Sequence, residues 1–211
     1  YNLDPVDFYM FSNCKKVFRN YVKPEELPNN VTVFPLGYHT TFRNGIEKPY
    51  ERTPQLPFRK YMWSFFGTGW HNRAEHLESL KQVGEYRCDL YGEWNDPKML
   101  SEKEYLSTLL NTWVVPCFGG NNYETYRFYE ALECGCVPLI VEDEESKEFV
   151  KYITQYIPIL PLKSWNQAPQ LLKGFQENKE AFEQYRYSIL TAYSSMKKQF
   201  QDKFRLAIIE N

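Results

Sequence analysis

Two arginines follow glycine-rich turns in settings that suit phosphate. Arg127 lies in the run Gly119-Gly120-Asn121-Asn122-Tyr123-Glu124-Thr125-Tyr126-Arg127-Phe128-Tyr129-Glu130-Ala131-Leu132, where two glycines follow an apolar segment and open a helical pattern. Glycine lets the backbone approach a ligand closely. The helix start adds unpaired N–H groups and the positive end of the helix dipole. Arg127 and Glu130 have i,i+3 spacing, so they share one helix face. One can pair with a diphosphate while the other accepts hydrogen bonds from ribose hydroxyls; the alternative is a surface salt bridge. The turn Gly67-Thr68-Gly69-Trp70-His71-Asn72-Arg73 places Arg73 at another helix start. Together the two arginines can neutralise a leaving diphosphate; alternatively, Arg73 is a solvated side chain beside a tight turn.

The first turn also approaches a dinucleotide fingerprint, Gly67-x-Gly69-x-x-Asn72 with Asp89 downstream. Its third glycine, needed for helix–strand packing, is missing. A nicotinamide-dependent oxidoreductase is therefore an alternative, but it gives the Arg127 turn no role. Metal chemistry lacks a framework, because Cys134-x-Cys136 is too tight for usual zinc spacing and has no histidine pair nearby. The cysteines number five (Cys14, Cys88, Cys117, Cys134 and Cys136), an odd count that leans toward a reducing cytoplasm. The single sequon, Asn30-Val31-Thr32, decides nothing.

A sheet must hold these turns, and the pattern supplies one. Strands are expected at 62–66, 86–91, 113–118, 136–141 and 157–160, with a short one at 31–34 and a strand with a loop within 13–20. Helices are expected at 72–83, 101–110, 123–133 and 144–153, followed by a helical tail from Ser164. Ser101-x-x-Glu104 reads as a capping box, and Asn72 with Glu75 resembles a second one. Strands alternating with helices across short glycine-rich turns predict an α/β domain, a Rossmann-like parallel sheet with helices on both faces. Its ligand belongs at the carboxyl ends of the strands.

The 211 residues form a chain of 25.3 kDa with 43% hydrophobic and 25% charged residues, which excludes a disordered or fibrous protein. A net charge of -2 without a polybasic block argues against nucleic acid as a partner. No apolar run is long enough to span a bilayer, and the start at Tyr1 suggests a processed or trimmed piece. Aromatic residues reach 18%, and most of them must be core.

The run Thr125-Tyr126-Arg127-Phe128-Tyr129-Glu130-Ala131-Leu132-Glu133-Cys134-Gly135-Cys136-Val137-Pro138-Leu139 resembles the signature of the exostosin-like glycosyltransferases. Phe58-Arg59-Lys60-Tyr61-Met62 with Phe65, Gly67 and Arg73, and Val33-Phe34-Pro35-Leu36-Gly37 before them, are similar to two further stretches of that family. The resemblance spans roughly residues 31–160. It implies the C-terminal donor domain of a GT-B enzyme over 57–211, with 1–56 a partial acceptor-side region and linker. The implied reaction is inverting transfer from a UDP-sugar to a glycan hydroxyl, with no cofactor or metal required. Gly67, Arg73 and Arg127 would line the donor diphosphate beside Thr68 and Thr125, and Glu130 would meet the ribose. The family's cysteine partner for Cys136 is Val114 here, and the longer Gly119–Thr125 loop lets Asn121 and Asn122 contact the donor.

Glycosyl transfer also needs a base. His39, after the Pro35-Leu36-Gly37 strand end, is the choice over Asp4 and Asp7, with a solvated loop histidine as the alternative. His71 and His76 read as structural. Asp143 can hold donor-sugar hydroxyls, or Glu142-Asp143-Glu144-Glu145 is a solvated helix start. A non-catalytic scaffold or partner subunit is the remaining alternative. Golgi residence follows only if the chain is a eukaryotic member of that family.

Overall fold

A computed structural model of the chain describes residues 13–21, 27–39, 58–70, 72–93 and 96–209. Four parallel strands form the main sheet: β3 (Tyr61–Thr68), β4 (Tyr86–Tyr91), β5 (Thr112–Pro116) and β6 (Val137–Leu139), in spatial order β4-β3-β5-β6. A smaller parallel pair, β1 (Val17–Arg19) with β2 (Val31–Val33), precedes it. The helices are α1 (Arg73–Leu80), α2 (Glu102–Leu110), α3 (Tyr126–Glu133), α4 (Lys147–Ile153), α5 (Ala168–Glu177) and α6 (Lys179–Ile209). From β3 the chain crosses through α1 to β4, and from β5 through α3 to β6, in opposite directions. Right-handed crossovers then put α1 and α3 on opposite faces, the Rossmann-like arrangement expected. The reversal lies between β3 and β5, and their carboxyl ends carry the two glycine-rich turns.

The core explains the aromatic surplus. Trp63, Phe65, Val114, Phe128, Leu132 and Ile153 are fully buried, and the Trp63 indole N–H donates to Leu80 O at 3.0 Å. β5 and β6 are buried throughout, as a central parallel sheet requires. Phe18 and Phe34 pack on Phe200 and Phe204 of α6, which seats the N-terminal strands on the same body. Among the described residues, no helix is long and apolar enough to cross a membrane.

The local sequence signals are realised unevenly in the fold. The Ser101/Glu104 capping box forms in both directions. Asn72 makes no side-chain cap, because it adopts φ 60 in the left-handed region instead of the extended backbone that a cap needs. Residues 157–160 are not a strand. Pro158 and Pro161 have no N–H to give, and the chain rejoins the sheet only at a Val141–Leu162 bridge. α3 and α4 begin three residues later than expected, after longer turns.

Candidate functional site

The crevice opens where two ladders end at different heights. β3 stays paired with β4 as far as Thr68↔Tyr91, but its ladder with β5 stops at Trp63↔Val114. Beyond that point lie the Gly67 and Gly119 turns. Arg73 reaches into the gap from the first residue of α1. It is 6% exposed, donates to Thr68 O at 3.1 Å and Thr68 Oγ1 at 3.3 Å, and also bonds Gly119 O. A solvated Arg73 is thereby excluded. Its guanidinium pKa is pushed down to about 10, first by burial and then by the charge of Arg127.

Arg127 enters from the first turn of α3. It donates to Phe66 O and lies 4.4 Å over the Phe65 ring. The two arginines thus hang from alternate carbonyls of one strand, on the order of 6.6 Å apart. A Cβ built on Gly67 would stand 3.0 Å from an Arg127 guanidinium nitrogen, and one on Gly120 would stand 3.9 Å from Arg73. The missing side chain at Gly67 is what lets Arg127 lie against the strand. Arg127 makes no ion pair with Glu130, so the salt-bridge alternative fails. Among the described residues neither arginine has a carboxylate partner, and both Nε atoms are buried without a hydrogen-bond acceptor. Thr125, the extended N-cap of α3, has its hydroxyl buried and unpartnered as well, leaving the helix start without a side-chain cap. A desolvated cation beside a second, half-buried one is costly unless an anion joins them.

The opposite end of α3 is fixed by cations. Arg59 donates to Cys134 O at 2.7 Å and Arg186 to Gly135 O at 2.5 Å. Positive charge at the carboxyl end complements the helix dipole and leaves the amino end facing the crevice. Arg59 therefore has a structural role in the Phe58-Arg59-Lys60 stretch. Glu130, buried on the Arg127 face, accepts from the Tyr105 hydroxyl at 2.8 Å. Burial, with Glu130 beside it, raises the Tyr105 phenol well above its ordinary range. Nothing in the sequence singles out Tyr105 as a partner of Glu130; its only local mark is its place directly after the α2 capping box.

The remaining candidates spread around the mouth. His39 is exposed and meets the Tyr126 ring edge-on at 5.3 Å, next to Arg127 in sequence. Asn121 is exposed, and Asn122 O accepts the Gly120 amide at 2.9 Å. Asp143 spends Oδ1 on the Glu145 and Ser146 amides, so its observed role is to start α4. It also lines a small pocket beside Gly119, with Tyr123, Ser146 and Trp165. His76 stacks in a cluster with Phe118 and Trp165, a packing role. His71, Asp4 and Asp7 lie outside the described residues. All five cysteines are free. Among the described residues no group of three His, Cys, Asp or Glu is placed to hold a metal.

A sheet crevice lined by two uncompensated arginines is the setting for comparison with known proteins. Residues 47–211 match the family model described as the RXYLT1 C-terminal domain. The chain belongs to that family. It is 30% identical over 171 residues to ribitol-5-phosphate xylosyltransferase 1 of Danio rerio, which covers 72% of this chain and 39% of the relative. With the Mus musculus protein of the same name, identity is 28% over 134 residues, 54% of this chain and 30% of that relative. The chain thus spans well under half the length of either relative. Both relatives are glycosyltransferases by name, which shows a glycosyltransferase family and replaces the oxidoreductase alternative. In keeping with this, Asp89 lies inside β4 rather than beyond its end, where a ribose would be met.

Proposed function

We propose that this chain is the donor-binding part of a glycosyltransferase that grips the diphosphate of a UDP-sugar between Arg73 and Arg127. The observation that carries this reading is the pair of guanidiniums at the crevice, Arg73 buried and Arg127 half-buried, held by carbonyls and unneutralised by any carboxylate among the described residues. Charge that develops on a departing nucleotide diphosphate is stabilised where preorganised donors already wait in a desolvated site. The first-turn amides of α3 and the free Thr125 hydroxyl add donors on the same side. Glu130, steadied by Tyr105, is the acceptor for ribose hydroxyls one helical turn away. Gly67 and Thr68 shape the floor, and Asn121, Asn122 and Asp143 lie on the donor-sugar side.

The likeness of residues 125–139 to exostosin-like enzymes supports a GT-B donor domain and a uridine nucleotide. The relatives' name supports xylose as the sugar and a ribitol phosphate unit as the acceptor. In the reaction, His39 takes the acceptor hydroxyl proton and the oxygen attacks the anomeric carbon. The bond to the diphosphate breaks from the opposite face, which inverts that centre, and UDP leaves with the electron pair. Incubation with UDP-xylose and ribitol 5-phosphate, with UDP release followed over time, tests this. Release that requires both substrates is expected, and its absence with every UDP-sugar tried contradicts the reading. Undiminished turnover in His39→Ala removes His39 as the base.

A further inference from the structure

The loop before α3 carries a buried acid that this chemistry leaves unused. Glu124 is 4% exposed. Its carboxylate accepts the Leu36 amide at 2.8 Å, the Tyr21 amide at 3.1 Å and the Tyr129 hydroxyl. Burial raises its carboxyl above the usual range, and the three hydrogen bonds oppose that rise. Two of the donors are backbone groups of the N-terminal segment, one just beyond β1 and one just beyond β2. Both positions adjoin unusual backbone. Tyr21 has φ 66, a conformation that bulky residues rarely adopt, and Gly37, with φ 73, turns the chain immediately after Leu36. That turn delivers His39 to the Tyr126 ring. On the other side Glu124 is bonded in sequence to Thr125, the cap of α3. One carboxylate therefore ties the exits of both N-terminal strands to the start of the arginine-bearing helix.

We propose that Glu124 is a positioning residue that clamps the N-terminal strand pair onto the start of α3 and so sets where His39 stands. The clamp stands on geometry alone; its effect on catalysis rests on the function proposed above. NMR-detected hydrogen exchange on the whole chain tests it, with Glu124→Ala and Glu124→Gln. In Glu124→Ala the Tyr21 and Leu36 amides should exchange about tenfold faster or more, because each loses a bond to a charged acceptor. Amides of β3 and β5 should keep wild-type protection. Glu124→Gln keeps one accepting oxygen, so one of the two amides should stay protected. If UDP is a ligand, its affinity should hold in both variants while turnover falls. Unchanged exchange at Tyr21 and Leu36 overturns the clamp. Should Glu124→Ala lose β3 and β5 protection through misfolding, Glu124→Gln decides, and two amides at wild-type rates there overturn the clamp. Failure of UDP to bind the wild type leaves the exchange result valid and counts against the transferase alone.

Discussion

Replacing Arg127 by methionine should separate binding from stability. In the free protein Arg127 donates to one carbonyl and lies 4.4 Å over the Phe65 ring, contacts worth about 2–4 kcal/mol together. Against these stand a half-buried guanidinium whose buried Nε is unpartnered and its repulsion of Arg73. Half-burial without a counter-ion carries part of the several-kcal/mol penalty of a fully buried charge, before its contacts are counted. Methionine keeps much of the volume and removes the charge. The two sides roughly cancel, so the melting temperature should hold within about 4 °C or rise. Affinity for UDP should fall by about 10- to 100-fold, since each charge-assisted phosphate contact is worth about 1.5–3 kcal/mol. Calorimetric titration with UDP and a thermal melt on the same sample measure both. A large fall in melting temperature with affinity unchanged would show that Arg127 supports the fold, and the reasoning fails.

Three further outcomes follow from the same structure. The Arg73 pKa, depressed to about 10 from 12.5, means that the charge is present below that pH and lost above it. UDP affinity measured by titration should therefore be level between about pH 7 and 9 and fall beyond about 10, while the cost of burying Arg73 eases over the same rise; affinity that increases there contradicts this. Tyr105→Phe should cost about 1–3 kcal/mol in urea denaturation by leaving a buried Glu130 oxygen without its donor, and an unchanged midpoint removes that bond from the account. Of the five free thiols only Cys14 is exposed, and burial pushes Cys88 to about 11 and Cys117 to about 12. A thiol reagent at pH 8 should accordingly titrate one group in the native chain and five after denaturation; rapid native modification of a second thiol contradicts this.

What was legible in the sequence was what neighbours in the chain determine. Ser101 and Glu104 cap α2 through groups three residues apart, so residue types alone were enough. The same logic misled at Asn72, where a suitable residue type adopts a left-handed backbone. Pro158 and Pro161 could have ruled out the expected strand, since neither has a ladder donor. The arginines were legible because glycines and a helix start mark them. That Arg127 bonds Phe66 instead of Glu130 depends on sheet order, which no local pattern carries. Glu124 was not legible as a clamp, since its backbone partners lie 88 and 103 residues away and nothing in its loop points to them.

The most direct measurement is calorimetry of the unmodified chain with uridine, UMP and UDP in parallel. A pocket built from two arginines predicts affinity rising with each phosphate, strongest for UDP and weakened by salt. Equal binding of uridine and UDP, or no heat with any of the three, would contradict a diphosphate site between Arg73 and Arg127.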